Sequence, residues 1–333
     1  MSNYLYMRKW RVLVVDANDK EALNVSDLRV KFTVKKAREV ANFATIEIFN
    51  LTAETEQSII KDGDRVVIEA GYEGYLTTSD DDGSIGYKTE QDGKTAQEKQ
   101  YGKIFDGQII YPSRRKENNT DYVLTLLCVD GQTILRQNFI AKTLNKGLNQ
   151  RQIVDAVCEK SKTKIPTNNI TQGLSGQKLP RGKVLFGQPV DYLADVARGN
   201  AASYWVEDGT LNITKLTDEA EDEAIVVTPT TGLIGVPTQT QYGASFRLLL
   251  NPAVGMKSLV KIKDSEMIEA SDVKLGSKQT AMDPEWIYQV TEVTHTGDTR
   301  GNEWYTECSA VSRYGTGALA ALMSNAAQNP NGV

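Results

Sequence analysis

Two widely separated stretches of this chain read alike, and that likeness constrains the fold more than any bulk property. Residues 42–72 read NFATIEIFNLTAETEQSIIKDGDRVVIEAGY. Thr45, Glu47 and Phe49 alternate with Ile46 and Ile48, the period-two pattern of a strand with one face in a core. Asn50 stops the strand. Thr52 with Thr55 and Glu56 sets a capped helix start that runs to Lys61, Asp62-Gly63-Asp64 breaks the helix, and Val66, Ile68 and Ala70 alternate with Val67 and Glu69 in a returning strand. Farther on, SFRLLLNP at 245–252 matches the strand that ends at Asn50-Leu51, and GMKSLVKI at 255–262 matches the turn and strand from Gly63 to Ile68, with the helix deleted. Each copy then carries a long hairpin, 103–110 answered by 122–129 and 286–293 answered by 303–311. The two answering strands hold Cys128 and Cys308, which the reading places at corresponding positions. The expectation is one antiparallel β domain used twice.

At 333 residues the chain is long enough for two or three domains, each with its own core. Thirty-eight basic against forty-three acidic residues leave a net charge of -5, which gives no global electrostatic reason to seek nucleic acid or an anionic membrane. Arg8, Lys9 and Arg11 surround Trp10 but precede no apolar run fit for a signal peptide, and no segment approaches a membrane span. The reading is of a chain folded in a cytoplasm and not inserted in a membrane. Cys128, Cys158 and Cys308 are odd in number, far apart and without a C-x-x-C pair, as expected of small buried residues rather than of disulfide or metal chemistry.

In order, residues 1–147 read as the first β domain, with strands at 10–15 and 28–34. A polar arm at about 73–101, including Asp80, Asp81 and Asp82, is too hydrophilic to form a core; it is either a partner-contacting arm or a disordered insertion. The first hairpin's tip, 111–120, gathers Arg114, Arg115 and Lys116, a basic cluster suited to an acidic protein surface or to blunting an exposed edge. The answering strand is apolar on both faces from Val123 through Thr125 and Leu127 to Val129, which predicts a central strand or a subunit contact. These nine residues, Asp80, Asp81, Asp82, Arg114, Arg115, Lys116, Val123, Thr125 and Leu127, are the candidate interface. Residues 148–220 form a small α+β module. There Asn149 with Gln152 makes a capping box, a second helix starts near Gln188-Pro189 and closes at Gly199, and 203–206 and 211–214 flank the turn Glu207-Asp208-Gly209. After the acidic joint at 218–223, the second β domain occupies 221–314, with a polar insertion at 264–283. Residues 315–333 are a tail, helical at most around 318–323.

Catalytic patterns are sparse. The single histidine, His295, lies on a strand between Thr294 and Thr296 without a G-x-S-x-G elbow, so no nucleophilic triad is read and no catalytic residue is named. No two His or Cys fall at zinc-ligand spacing. GQKLPRGK at 176–183 has its glycines one position too far apart for a phosphate loop, and Val184 stands where the hydroxyl for magnesium belongs. The reading is of a non-enzyme with no cofactor and no metal.

Taken together, the I-E-I-F-N-L strand end, the G-D-R-V-V-I-E-A-G-Y turn and strand, the F-D-G-Q-I hairpin, the Y-L-A-D-V-A helix, the Y-W-V-E-D-G-T-L hairpin and the L-L-N-P-x-V strand end resemble the baseplate hub proteins of tailed, especially contractile-tailed, bacteriophages. The resemblance covers most of the chain. It implies a mainly β fold with two tail-tube-like antiparallel barrel or sandwich domains flanking the middle one, and a homotrimeric ring between a sixfold tail tube and a threefold central spike. It further implies contacts with the tail tube protein, the spike protein and other baseplate proteins, and a channel through which DNA passes without specific binding. The expected location is the virion's tail baseplate. A tail-tip cell-wall hydrolase and the equivalent hub of a contractile bacteriocin or secretion particle are the alternatives.

Overall fold

The computed structural model describes residues 7–16, 22–38, 41–76, 98–131, 139–159, 174, 176–215, 224–239, 243–262, 268–269 and 287–312. The fold is mainly β. Its first part runs β1 (Arg8–Asp16), β2 (Ala22–Asn24), β3 (Val30–Ala37), β4 (Asn42–Phe49), α1 (Ala53–Asp62), β5 (Gly63–Leu76), β6 (Glu98–Lys116) and β7 (Tyr122–Asp130). The middle has β8 (Ile140–Leu144), α2 (Gln150–Cys158), β9 (Lys183–Gly187), α3 (Pro189–Gly199), β10 (Ala202–Glu207) and β11 (Thr210–Lys215). The last part has β12 (Ala224–Val227), β13 (Leu233–Gln239), β14 (Gly243–Leu249), β15 (Leu259–Ile262), β16 (Ile268–Glu269), β17 (Ile287–Asp298) and β18 (Trp304–Ser312).

One fourteen-stranded sheet runs through both ends of the chain in the order β16-β13-β14-β18-β17-β3-β4-β7-β6-β5-β1-β2, with β15 on β17 and β12 on β15. The pairing order β3-β4-β7-β6-β5-β1 at one end is met again as β13-β14-β18-β17-β15-β12 at the other. A register shift interrupts β6 between Ile109 and Tyr111, and another interrupts β17 between Val290 and Glu292, each on the strand's face toward its hairpin partner. The outermost pair differs: β1 meets β5 antiparallel, whereas β12 meets β15 parallel. The matching register also corrects the cysteine correspondence. Cys128 lies opposite Ala44, and the residue that lies opposite Ala244 is Ala310; Cys308 faces Phe246, two positions away.

Alternation decides the layers. In β3, Val30, Phe32 and Val34 are buried while Thr33 and Lys35 face out, and Ala44, Ile46 and Ile48 do the same in β4. These side chains join Val66, Ile68, Phe105 and Leu126 in the first core, which also takes in Leu250 and Trp304 from the far end of the sequence. A second core fills the middle module around Val154, Val157, Leu193, Val196, Leu211 and Ile213, and a third is built on Phe246, Leu248, Val260, Tyr288 and Val293. The middle helix α2 starts on the expected capping box: Asn149 accepts from the Gln152 amide at 2.9 Å and the Gln152 side chain returns a bond to the Asn149 amide at 2.9 Å.

Candidate subunit interface

The two ends of the chain meet at a seam between β3 and β17. Seven antiparallel pairs join them, from Glu292 opposite Ala37 to Asp298 opposite Lys31. Behind the seam, the Trp304 ring stands edge-on to Phe32 at 5.5 Å and to Trp10 at 6.1 Å between centroids, with Arg8 over its face. Gly297 is glycine because a Cβ there would lie 2.3 Å from the Phe32 ring. At the seam's end the Thr299 hydroxyl accepts from the Val30 amide at 2.9 Å, and Arg29 reaches Asp298. Burial alone would raise the Asp298 carboxyl, but the Arg29 guanidinium and the Arg300 amide outweigh it and hold the carboxyl below its ordinary range.

His295 lies in the middle of this seam and is completely buried. Its Nδ1 is 2.9 Å from the Thr306 hydroxyl. Burial, and then the charge of Lys36, push its pKa down to about 3, so the ring is neutral. Lys36 itself, nearly buried, reaches across to Glu207 at 2.7 Å. His295 is thus a core residue holding a seam. No group of three or more His, Cys, Asp or Glu among the described residues is placed to hold a metal ion.

The middle module docks through the turn of its β10–β11 hairpin. Asp130, at the end of β7, accepts from the Asp208 and Gly209 amides at 2.7 and 2.9 Å. Burial pushes its pKa up to about 6 against the pull of those two amides. Asn42 donates to the Val206 carbonyl at 2.6 Å, and Lys103 bridges Asp208 at 2.9 Å and Asp106 at 3.3 Å.

On the side away from the first and third cores, the strands β13, β14, β18, β17, β3, β4, β7 and β6 present a polar face. Thr296, Thr33, Thr45, Leu127 and Tyr111 follow one another across it, as do Lys31, Glu47, Thr125 and Ser113. Its cations have partners: Lys35 with Glu292 at 2.6 Å, Arg115 with Glu47 at 2.8 Å, Arg247 with Glu307 at 2.5 Å, and Lys31 with Asp298 at 3.9 Å.

The sequence candidates fall as follows. Val123, Thr125 and Leu127 lie on β7, which is indeed a central strand between β4 and β6; Val123 is fully buried and Leu127 is 37 % exposed on the polar face. Arg114, Arg115 and Lys116 are the last residues of β6, not a hairpin tip, which shrinks to 117–121. Pairing with β7 overrides their turn-like composition, and Arg114 stacks on Tyr122 while bonding Glu56 at 3.1 Å. Asp80, Asp81 and Asp82 lie outside the described residues. The arm is shorter than expected, because β5 extends to Leu76 and β6 begins at Glu98, with Tyr75 opposite Lys99. The tail at 315–333 and most of the 264–283 insertion also lie outside the described residues. Sequence reasoning missed the seam. Its partners, such as Arg29 and Asp298, are 269 residues apart, and the local sign was a glycine inside a strand, Gly297.

Comparison with known proteins agrees with this architecture. The 43 kDa tail protein of prophage MuSo2 from Shewanella oneidensis is similar in structure, with a TM-score of 0.56 and 9% identity over 92% of this chain and 97% of that one. The VgrG-containing Francisella PdpA-VgrG complex, lidded and half-lidded, contains a similar chain, with TM-scores of 0.53 and 0.52, 7% identity and 94% of this chain covered; the match spans 54% and 59% of those chains. At such identities the likeness is one of fold. Comparison with curated protein sequences gives no match. The family described as Baseplate hub gp41 matches residues 11–270. With most of its length inside that match, the chain belongs to the baseplate hub gp41 family and is a structural hub protein of the phage tail baseplate.

Proposed function

We propose that three copies of this chain close into a ring that adapts a sixfold tail tube to a threefold central spike. In this reading the chain divides into a tube-like domain over 1–147, a small α+β domain over 148–220 and a second tube-like domain over 221–314. The observation that carries it is the repeated pairing order of the sheet, together with the matching register shifts at Ile109 and Val290. Two similar units per chain and three chains per ring give six similar units, and cyclic closure then offers near-sixfold and true threefold surfaces at once.

The polar face suits the wall of a channel for exiting DNA. A duplex is gripped through unpaired cations that release its counterions. Lys35, Arg115 and Arg247 are each held by a carboxylate instead. The same reading makes the protein non-enzymatic and gives it the tail tube protein, the spike protein and other baseplate proteins as partners within the virion.

Mass measurement by sedimentation, followed by imaging of the purified full chain, tests the proposal. A trimer with six similar lobes around an open centre is the expected result. A strict monomer, or a trimer whose six lobes cannot be superimposed in pairs, overturns it. Release of peptidoglycan fragments by the purified protein would favour the hydrolase alternative.

A further inference from the structure

The ribbon β8–β9 of the middle module has an apolar side that nothing among the described residues covers. Ala141 lies opposite Phe186 and Thr143 opposite Val184, so these four share one face of the ribbon, while Ile140, Leu144 and Leu185 point from the other into the second core. A ribbon with one face buried is expected to carry polar residues on the other. Here that outer face holds Phe139, Val184 and Phe186, which are 55, 66 and 71 % exposed. The rings of Phe139 and Phe186 pack edge-on at 4.8 Å. Large apolar side chains held together in water mark a place for a partner, and aromatic ones are the usual anchors.

The charge around this face is of one sign. Residues 139–148 and 176–188 contain no Asp or Glu but carry five cations. The Gly147 amide donates to the Leu179 carbonyl at 2.9 Å and the Leu179 amide to the Leu148 carbonyl at 2.8 Å, which gathers Lys146, Lys178 and Arg181 at one end of the ribbon, all three exposed. Lys142 is taken by Glu159, and Lys183 lies over the Tyr192 ring. Among the described residues no carboxylate answers Lys146, Lys178 or Arg181. The chain's own flanking sequences do not complement them either: 132–138 and 160–173 hold Arg136, Lys160, Lys162 and Lys164 and no acid. A second ribbon of the same kind would bring like charges together.

We infer that this face docks an acidic segment of another baseplate protein, whose apolar side chains cover Phe139, Val184 and Phe186 while its carboxylates meet Lys178 and Arg181. The inference rests on the reading that other baseplate proteins are this chain's partners, and it adds the surface and the charge of what that surface meets. An aromatic centre with a charged rim has the anatomy of a protein interface. A strand of nucleic acid asks instead for ring faces open to stacking bases; the two phenylalanine rings stand at 88° to each other, the edge of one against the face of the other.

Photo-cross-linking in assembled tail particles tests the docking. Phe186→p-benzoylphenylalanine and Phe139→p-benzoylphenylalanine, each in the full chain, should capture the same peptide, rich in Asp and Glu, from a different protein of the particle. Lys178→Glu/Arg181→Glu should lower that yield several-fold while sedimentation of the purified chain stays as in wild type. The captured segment, made as a synthetic peptide, should bind the purified chain and lose about 30-fold in affinity to Phe186→Ser, as befits a buried aromatic anchor. Particles that contain the chain but give no cross-link overturn the docking and leave the ring reading standing. Capture of a neutral or basic segment overturns it, as does capture of any part of this chain, the acidic stretches at 80–82 and 218–223 included. Absence of the wild-type chain from the particles overturns both the docking and the reading beneath it.

Discussion

Arg29 holds Asp298 by two parallel bonds, Nε to Oδ1 at 3.1 Å and Nη2 to Oδ2 at 2.7 Å, and so ties the first strand of the seam to the last. Asp298 is nearly buried while Arg29 is 39 % exposed. Solvent screening on the arginine side keeps the pair's contribution modest. Arg29→Ala should lower stability by about 1–2 kcal/mol, read from the midpoint of urea unfolding. The carboxyl is held below its ordinary range, so its contribution is present above that range and is lost as the pH falls through the folded value. The difference between wild type and Arg29→Ala should therefore narrow in acid. An unchanged difference would show that Arg29 contributes through packing on Phe49 instead.

Gly297 and Phe32 set the depth of the seam. A methyl group at 297 meets the Phe32 ring at 2.3 Å, so Gly297→Ala should cost about 1–3 kcal/mol through overpacking. Combining it with Phe32→Leu should recover part of that loss, because the ring is what the methyl strikes. Strict additivity of the two changes in thermal unfolding would refute the contact.

Two buried groups act oppositely on the acid limb of stability. His295 is neutral when folded, with its pKa pushed down to about 3, so the unfolded chain takes up its proton first and stability falls as the pH drops below about 6.5. His295→Gln should flatten that loss. Asp130 has its pKa pushed up to about 6, so the folded chain binds a proton there that the unfolded chain releases. Its burial penalty is absent below about pH 4 and complete above about pH 6, and it amounts to roughly 2–3 kcal/mol. Asp130→Asn removes the titration. Wild type should gain relative to that variant as the pH falls from 7 to 4, measured by thermal unfolding across the range. A pH-independent gap would show that Asp130 is ionised throughout, held by the Asp208 and Gly209 amides.

Removing the cap on α2 should have a local effect. Asn149→Ala deletes the acceptor for the Gln152 amide and should cost about 1 kcal/mol. Amide exchange would then rise in the first turn of α2 and stay unchanged at the β3–β17 seam. Faster exchange in both places would mean that the middle module and the sheet unfold as one unit.

What could be read from the sequence was what is local. Period-two alternation found β4 and β5, and the Asn149 box marked the start of α2, because neighbours in sequence settle both. The hub resemblance came from such strand ends and turns. Arg114, Arg115 and Lys116 were read as a turn because their composition is that of one; pairing with β7 decided otherwise. Strand β12 passed unnoticed, since four residues in parallel with β15 leave no hairpin sign. The seam was illegible for a stronger reason. Phe32 and Trp304, or Thr33 and Thr296, meet only after both ends of the chain have folded, and nothing near either residue names the other.

The reversal of direction in the outermost strand has a consequence for symmetry. Strand β1 runs against β5, whereas β12 runs with β15, so the two copies agree in their inner strands and part company at the periphery. In the proposed ring the lumen wall would approximate a hexagon, while the outer circumference would alternate between two kinds of lobe. A protein seated inside would then count to six, and one clasping the girdle would count only to three.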